Sequence, residues 1–194
     1  RKQPSGPISI SWELRNSNPE KSIQFGLEAI ELATLYKDYE NLAKAHGFVG
    51  VSFRVMGNYL QSIDYYYTGL EISIKYGITE QEGFAYLNLA NLHIYQEYYN
   101  SAIDNINRAE SIANRIGNKQ MLAYAFLYFG RAMQLKNELD SALIYFQKAL
   151  DLRSDLGRIP EQAVCYKYIA DIYLQKREYR SALENYNKSL ATID

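Results

Sequence analysis

Small and large apolar positions recur along this chain at a spacing of 40 residues. A small residue stands at Ser62, Ala102, Ala142 and Ala182; four residues on come Tyr66, Ile106, Phe146 and Tyr186, and three beyond those Gly69, Ala109, Ala149 and Ser189. Spacings of i, i+4 and i+7 place all three on one face of a helix. A second stripe precedes each of these: His46, Val49, Gly50 and Phe53; Tyr86, Leu89, Ala90 and His93; Phe126, Phe129, Gly130 and Met133; Tyr166, Ile169, Ala170 and Tyr173. Each copy therefore predicts two amphipathic helices, a large residue on one facing a small residue on its neighbour so that the axes approach closely.

The breaks in the pattern agree. Gly77, Gly117 and Gly157 fall where each second helix is expected to end, a place that favours positive φ. Thr79 with Glu82 has the spacing of a capping box for the following helix, and Pro160 suits the first turn of another. Gly57-Asn58 and Asn137 mark the turn inside a copy, whereas Glu97 and Arg177 at the same place signal it weakly. The four prolines, Pro4, Pro7, Pro19 and Pro160, leave the stretch between residues 20 and 159 free of helix breakers.

A degenerate copy comes first. Ser22, Gly26, Ala29 and Leu32 keep the register, Lys37 replaces the closing glycine, and Pro19 takes the place of Tyr59, Tyr99 and Tyr179. Its first helix is expected from about Pro7 to Asn16, with Trp12 and Leu14 covering the open end of the stack as a cap. At the other end the fourth copy stops short of its closing glycine with Leu190 and Ile193 still in register, so the chain is expected to continue past Asp194. The first residue, Arg1, is not Met, which points to removal of the natural start.

Composition narrows the function classes. Of 194 residues, 47% are hydrophobic, enough for a sizeable core. A net charge of -1 supplies no long-range field to gather nucleic acid or an anionic membrane, so any partner is recognised locally. No apolar run approaches the roughly 20 residues that a membrane helix needs, and no signal-peptide pattern follows Arg1. The compartment stays open between cytoplasm and periplasm.

The order aromatic, Leu-Gly or Ile-Ala, aromatic, then Ala, Phe or Tyr, Ala resembles the tetratricopeptide signature, best seen in Phe126, Phe129-Gly130, Ala142, Phe146 and Ala149. The resemblance covers the chain from about Pro19 onward. It implies an all-α, right-handed superhelical solenoid of about five helix-turn-helix repeats and about ten helices. One solenoid over residues 1–194 would hold the degenerate copy at 1–40, full copies at 41–80, 81–120 and 121–160, and a truncated copy at 161–194. Two features depart from that family: the period is 40 residues rather than about 34, and glycines replace its closing proline. The extra residues would lengthen the second helix by roughly one and a half turns.

Long-helix repeats of this type resemble those of bacterial signalling proteins, including the N-terminal input regions of sensor histidine kinases, which Leu14 to Ser22 resembles most. The resemblance implies a non-catalytic module that binds a peptide, a protein segment or another domain of its parent chain. A constitutive scaffold or assembly adaptor is the alternative. In that family the first helices line a groove, and the matching positions here are Lys44, Gly47, Val51, Arg54 and Val55; Phe84, Leu87, Asn91, Ile94 and Tyr95; Tyr124, Leu127, Arg131, Gln134 and Leu135; and Val164, Lys167, Asp171, Leu174 and Gln175. Phe84, Leu87, Tyr95, Tyr124 and Leu127 would take apolar side chains of a ligand, with Arg54, Arg131 and Lys167 set around them. Some of these would instead pack within the chain. The places of a carboxylate clamp hold Asn88, Asn91 and Arg131 but also Gly47, Phe48 and Val51, which argues against one.

Other chemistry is not expected. His46 and His93 fall on core positions and share no ligand spacing with Cys or carboxylates, so neither metal nor cofactor is expected. Cys165, the single cysteine, reads as a packed thiol rather than a nucleophile. Tyr65-Tyr66-Tyr67 centres on the core position Tyr66, and the sequon Asn187-Lys188-Ser189 ends on the core position Ser189. No phosphate loop, catalytic triad or paired-carboxylate motif appears, so no enzyme activity is expected of this segment. The last helix is expected to leave Tyr186, Leu190 and Ile193 uncovered and to self-associate weakly.

Overall fold

The computed structural model describes residues 6–192, and every regular element among them is an α-helix. The helices are α1 (Pro7–Leu14), α2 (Pro19–Leu35), α3 (Tyr39–Val55), α4 (Tyr59–Tyr76), α5 (Thr79–Tyr95), α6 (Tyr99–Ile116), α7 (Lys119–Leu135), α8 (Leu139–Asp155), α9 (Ile159–Gln175) and α10 (Tyr179–Ala191). From α2 onward a helix begins every 20 residues, so the 40-residue repeat is built from two halves of equal length.

The turns explain that regularity. Lys37, Gly57, Gly77, Glu97, Gly117, Asn137, Gly157 and Arg177 all lie at φ between 54° and 77°, again 20 residues apart. The residue after each donates its amide to a carbonyl five residues back, as in Asp38 to Ala33, Asn58 to Phe53, Tyr98 to His93 and Arg158 to Arg153. This is the bond that closes a helix through a left-handed residue. It forms whether or not that residue is glycine, which is why Glu97 and Arg177 serve a turn that their side chains barely announce. Asn18, Asp38, Asn58 and Asn118 then cap α2, α3, α4 and α7 by accepting an amide three residues on.

Two expectations change. α3 and α4 contain 17 and 18 residues, as do α5 and α6, so the lengthening is not confined to the second helix of a pair. α5 starts at Thr79 itself, one residue too early for the capping box with Glu82, and Ile78 holds the capping position. The degenerate first copy is present as expected, with Pro19 opening α2 and α1 ending at Leu14, although Leu32 is largely exposed. Ile193 and Pro4 lie outside the described residues.

The chain divides into two compact units, Arg1–Leu92 and His93–Asp194. In the first, α1 packs on α2 and α3, α2 on α3, and α3 on α4. The close approach depends on small residues: a Cβ on Gly50 would lie 2.6 Å from the Tyr66 ring, and one on Gly26 would collide with Val49. Three wholly buried serines tie α1 down, because Ser22 Oγ contacts the Ser11 carbonyl oxygen at 2.6 Å and Ser52 Oγ at 2.7 Å. Trp12 packs its ring 4.6 Å from that of Phe48, with the Arg15 guanidinium 3.5 Å from the Trp12 centroid.

In the second unit α6 packs on α7, α7 on α8, α8 on α9 and α9 on α10. Phe146, fully buried, anchors a core of Leu127, Ala142, Ala149, Leu150, Cys165, Ile169 and Ile172, and a Cβ on Gly130 would lie 2.5 Å from its ring. Ile94, Ala102 and Ala132 form a smaller cluster.

Candidate functional site

The first-helix positions divide by burial. In the unit Arg1–Leu92, Lys44 and Val55 are exposed, while Gly47, Arg54 and Phe84 are half-buried. Val51, Leu87 and Asn91 are buried. Val51 and Leu87 therefore serve packing and present no side chain to a ligand. Lys44 Nζ lies 5.8 Å from the Phe48 ring centroid.

In the unit His93–Asp194, Ile94 at 2% exposure and Leu127 belong to core clusters, which removes Ile94 from the accessible groove positions and Leu127 from the expected apolar anchors. Their stripe faces the neighbouring helices because Ala102, Ala132 and Ala142 leave room for them there. Tyr95, Leu135, Val164, Lys167, Leu174 and Gln175 are exposed; Tyr124, Arg131, Gln134 and Asp171 are half-buried.

What remains accessible is organised around Arg131 on α7. Its guanidinium carbon lies 5.0 Å from the Tyr95 ring centroid and 5.9 Å from that of Tyr168 on α9. Tyr95 is 48% exposed. Tyr168 in turn stacks on the core residue Phe146, with centroids 5.1 Å apart and planes within 10°. The core thus fixes one ring, the ring positions the cation, and Tyr95 completes a half-open aromatic face. Tyr124 lies 6.2 Å from Tyr128 along the same helix.

Lys167 and Asp171 are less available as free charges than the sequence implies. Lys167 Nζ pairs with Asp171 Oδ2 at 3.3 Å, and the Tyr186 hydroxyl donates to Asp171 Oδ1 at 2.6 Å. That bond to a carboxylate, reinforced by desolvation, pushes the Tyr186 phenol up to about 12. Tyr186 is consequently turned toward α9, while Leu183 and Leu190 are the apolar residues that α10 exposes.

The histidines and the cysteine lie in the packing, where the repeat register put them. His46 sits 5.6 Å from the Tyr65 ring, its Nδ1 buried without a hydrogen-bond partner among the described residues. His93 Nδ1 lies 3.3 Å from Asn105 Nδ2. Burial lowers both imidazoles below the usual histidine value. Cys165 is fully buried, and burial pushes its thiol up although Arg153 Nη1 donates to Sγ at 3.2 Å. Among the described residues no group of three metal-ligating side chains forms, and no helix is long and apolar enough to cross a membrane.

Helix pairs of constant length, left-handed turns at a constant interval and small-on-large packing define a TPR-like helical repeat protein. The family model described as soluble NSF attachment protein, SNAP, matches residues 36–192, and the chain belongs to that family. Tetratricopeptide repeat protein 29 of Trypanosoma brucei brucei (strain 927/4 GUTat10.1) is 20% identical over 135 residues, which is 70% of this chain but only 28% of that relative. Among solved structures, a Rap protein complexed with competence and sporulation factor aligns with a TM-score of 0.85 and 17% identity, over 98% of this chain and 55% of that one. Aspartyl phosphate phosphatase F from Bacillus subtilis gives 0.76 and 18%, over 96% and 50%. BtubC (BKLC) from P. vanneervenii gives 0.73 and 17%, over 95% and 78%. At these identities the likeness establishes the fold.

Proposed function

We propose that this segment is a non-catalytic binding module that holds a peptide or protein segment, as the sensory or regulatory input region of a larger bacterial signal-transduction protein. The observation that carries the reading is the Arg131 site, where a cation is held against Tyr95 and Tyr168 on a surface backed by the core. An aromatic face with a fixed guanidinium suits a ligand that pairs an apolar side chain with a carboxylate. Burying one large apolar side chain there would contribute about 1.5–3 kcal/mol before ordering costs. Fold likeness to a Rap protein complexed with competence and sporulation factor supports ligand binding by a repeat array of this shape class. The short spans of the longer relatives covered support the view that an output region lies elsewhere in a parent chain.

The test is selection from a displayed library of random peptides, followed by titration of the selected peptides. Peptides combining an acidic with an apolar residue should emerge, and Arg131→Ala with Tyr95→Ala should abolish their binding. Selected peptides that bind this double variant as tightly as the wild type would place the ligand elsewhere.

A further inference from the structure

The repeat register is broken at a buried place on α8. Ala33, Ser73 and Ala113 occupy the position that Arg153 fills on α8, and Ala45, Ala85 and Ala125 occupy the position of Cys165 on α9. All are buried, Arg153 included at 3% exposure. A guanidinium has therefore been set into a layer that other copies fill with small side chains.

Its partners do not neutralise it. Arg153 Nη1 donates to the Glu161 carbonyl oxygen at 2.6 Å and to Cys165 Sγ, and the guanidinium carbon lies 5.4 Å from the Tyr124 ring centroid. Among the described residues no carboxylate pairs with Arg153, and its Nε and Nη2 hydrogens take no acceptor. A buried charge without a counter-ion is costly, and an arginine cannot escape by losing its proton.

Arg153 also lines an opening. Together with Gln120, Tyr124, Leu156, Arg158 and Glu161 it bounds an opening to solvent whose free space, about 10 Å³, admits one water-sized atom. Arg158 is held at this opening by a bond from Nη2 to Gln120 Oε1 at 3.2 Å. The two arginines outweigh the single carboxylate of Glu161. We propose that this opening is an oxyanion receptor in which the unused donors of Arg153 bind one carboxylate oxygen of a small organic acid or of an acidic peptide side chain, the rest of the group remaining at the mouth. It is independent of the ligand proposed at Arg131.

The probes are sodium acetate, the capped peptide acetyl-Gly-Asp-Gly-amide and, as a tetrahedral comparison, inorganic phosphate, each against chloride at constant ionic strength. The readouts are the Arg153 Nε–Hε resonance and the thermal midpoint. A saturable shift of that resonance with acetate or the peptide, accompanied by a rise in midpoint, is the expected result, and the tighter of the two identifies the source of the carboxylate. Arg153→Ala restores the residue found in two other copies, so it should fold, and it should lose the anion-dependent rise. Arg158→Gln, which leaves the buried layer intact, should weaken binding several-fold, and Glu161→Gln should tighten it. No saturable shift in the wild type overturns the proposal, as does a midpoint rise that persists in Arg153→Ala or saturation by phosphate alone. A saturable shift that appears in Glu161→Gln but not in the wild type would show that Glu161 is the internal counter-ion, which also overturns it.

Discussion

Gly130 on α7 faces Phe146 on α8 so closely that an added methyl would lie 2.5 Å from two ring carbons. Because Phe146 is fully buried and stacked on Tyr168, its ring has nowhere to move. Gly130→Ala should gain about 1 kcal/mol of helix propensity yet lose about 1–3 kcal/mol to overpacking, for a net loss of stability. Gly47→Ala is the matched control, since its methyl would meet only Asn88 Nδ2 at 3.4 Å. Urea unfolding should show the first variant destabilised and the second unchanged or stabilised.

Turn residues give the opposite pair. Gly77 sits at φ 68° with open space around it, and Glu97 adopts φ 63° at the corresponding turn. Gly77→Ala should cost about 1 kcal/mol because a Cβ is strained at that φ, and Glu97→Gly should stabilise by about 0.5–1 kcal/mol by relieving the same strain. Thermal midpoints should move in opposite directions, and a fall in both would disprove the strain argument.

The Ser11, Ser22 and Ser52 cluster should govern how firmly α1 is held. Ser22→Ala removes the buried bonds from Ser22 Oγ to the Ser11 carbonyl and to the Ser52 hydroxyl, leaving Ser52 only its bond to the Phe48 carbonyl, at a cost of about 1–3 kcal/mol. Amide exchange of α1 should accelerate more than that of α4. Equal acceleration across the unit would mean that the serines act on global stability alone.

His46 and His93 should make stability fall in mild acid. Burial depresses both below the ordinary histidine value of about 6.5, so below that pH the unfolded chain binds protons that the folded chain refuses. Unfolding free energy should therefore decline as pH drops from 6.5 through the depressed folded values, by at most about 1.4 kcal/mol per pH unit for each histidine. His46→Gln with His93→Gln should flatten the profile on the acid side of about pH 6.5. Asp38 and Glu184 are lowered as well, but from 3.8 and 4.5, so their contributions fade only in stronger acid.

The paired helices and their register were legible in the sequence because Tyr66, Phe146 and their small partners repeat without a gap. The turn positions were legible as well, but at Lys37, Glu97 and Arg177 the left-handed conformation was not, since the backbone bond that closes each helix requires it and these side chains are of no distinctive type. Groove positions were legible only as a face. Whether Ile94 or Leu127 pointed outward depended on how much space Ala102, Ala132 and Ala142 left on the neighbouring helices. Arg153 carried a signal that register alone displays, an arginine in a column of Ala and Ser, although only its burial shows what that exception means.

Local and periodic chemistry was thus determined by the sequence itself: paired helices in a 40-residue register, the small-on-large pairing of their faces, and the cap of the first copy. Tertiary structure decided which apolar side chains are core and which are accessible, that Tyr186 satisfies Asp171, and that Arg131 is held by two rings. It also decided that Arg153 is buried with no counter-ion among the described residues. Periodicity reports which side of a helix faces inward, whereas burial and charge balance depend on the shapes and partners that distant residues bring to that side.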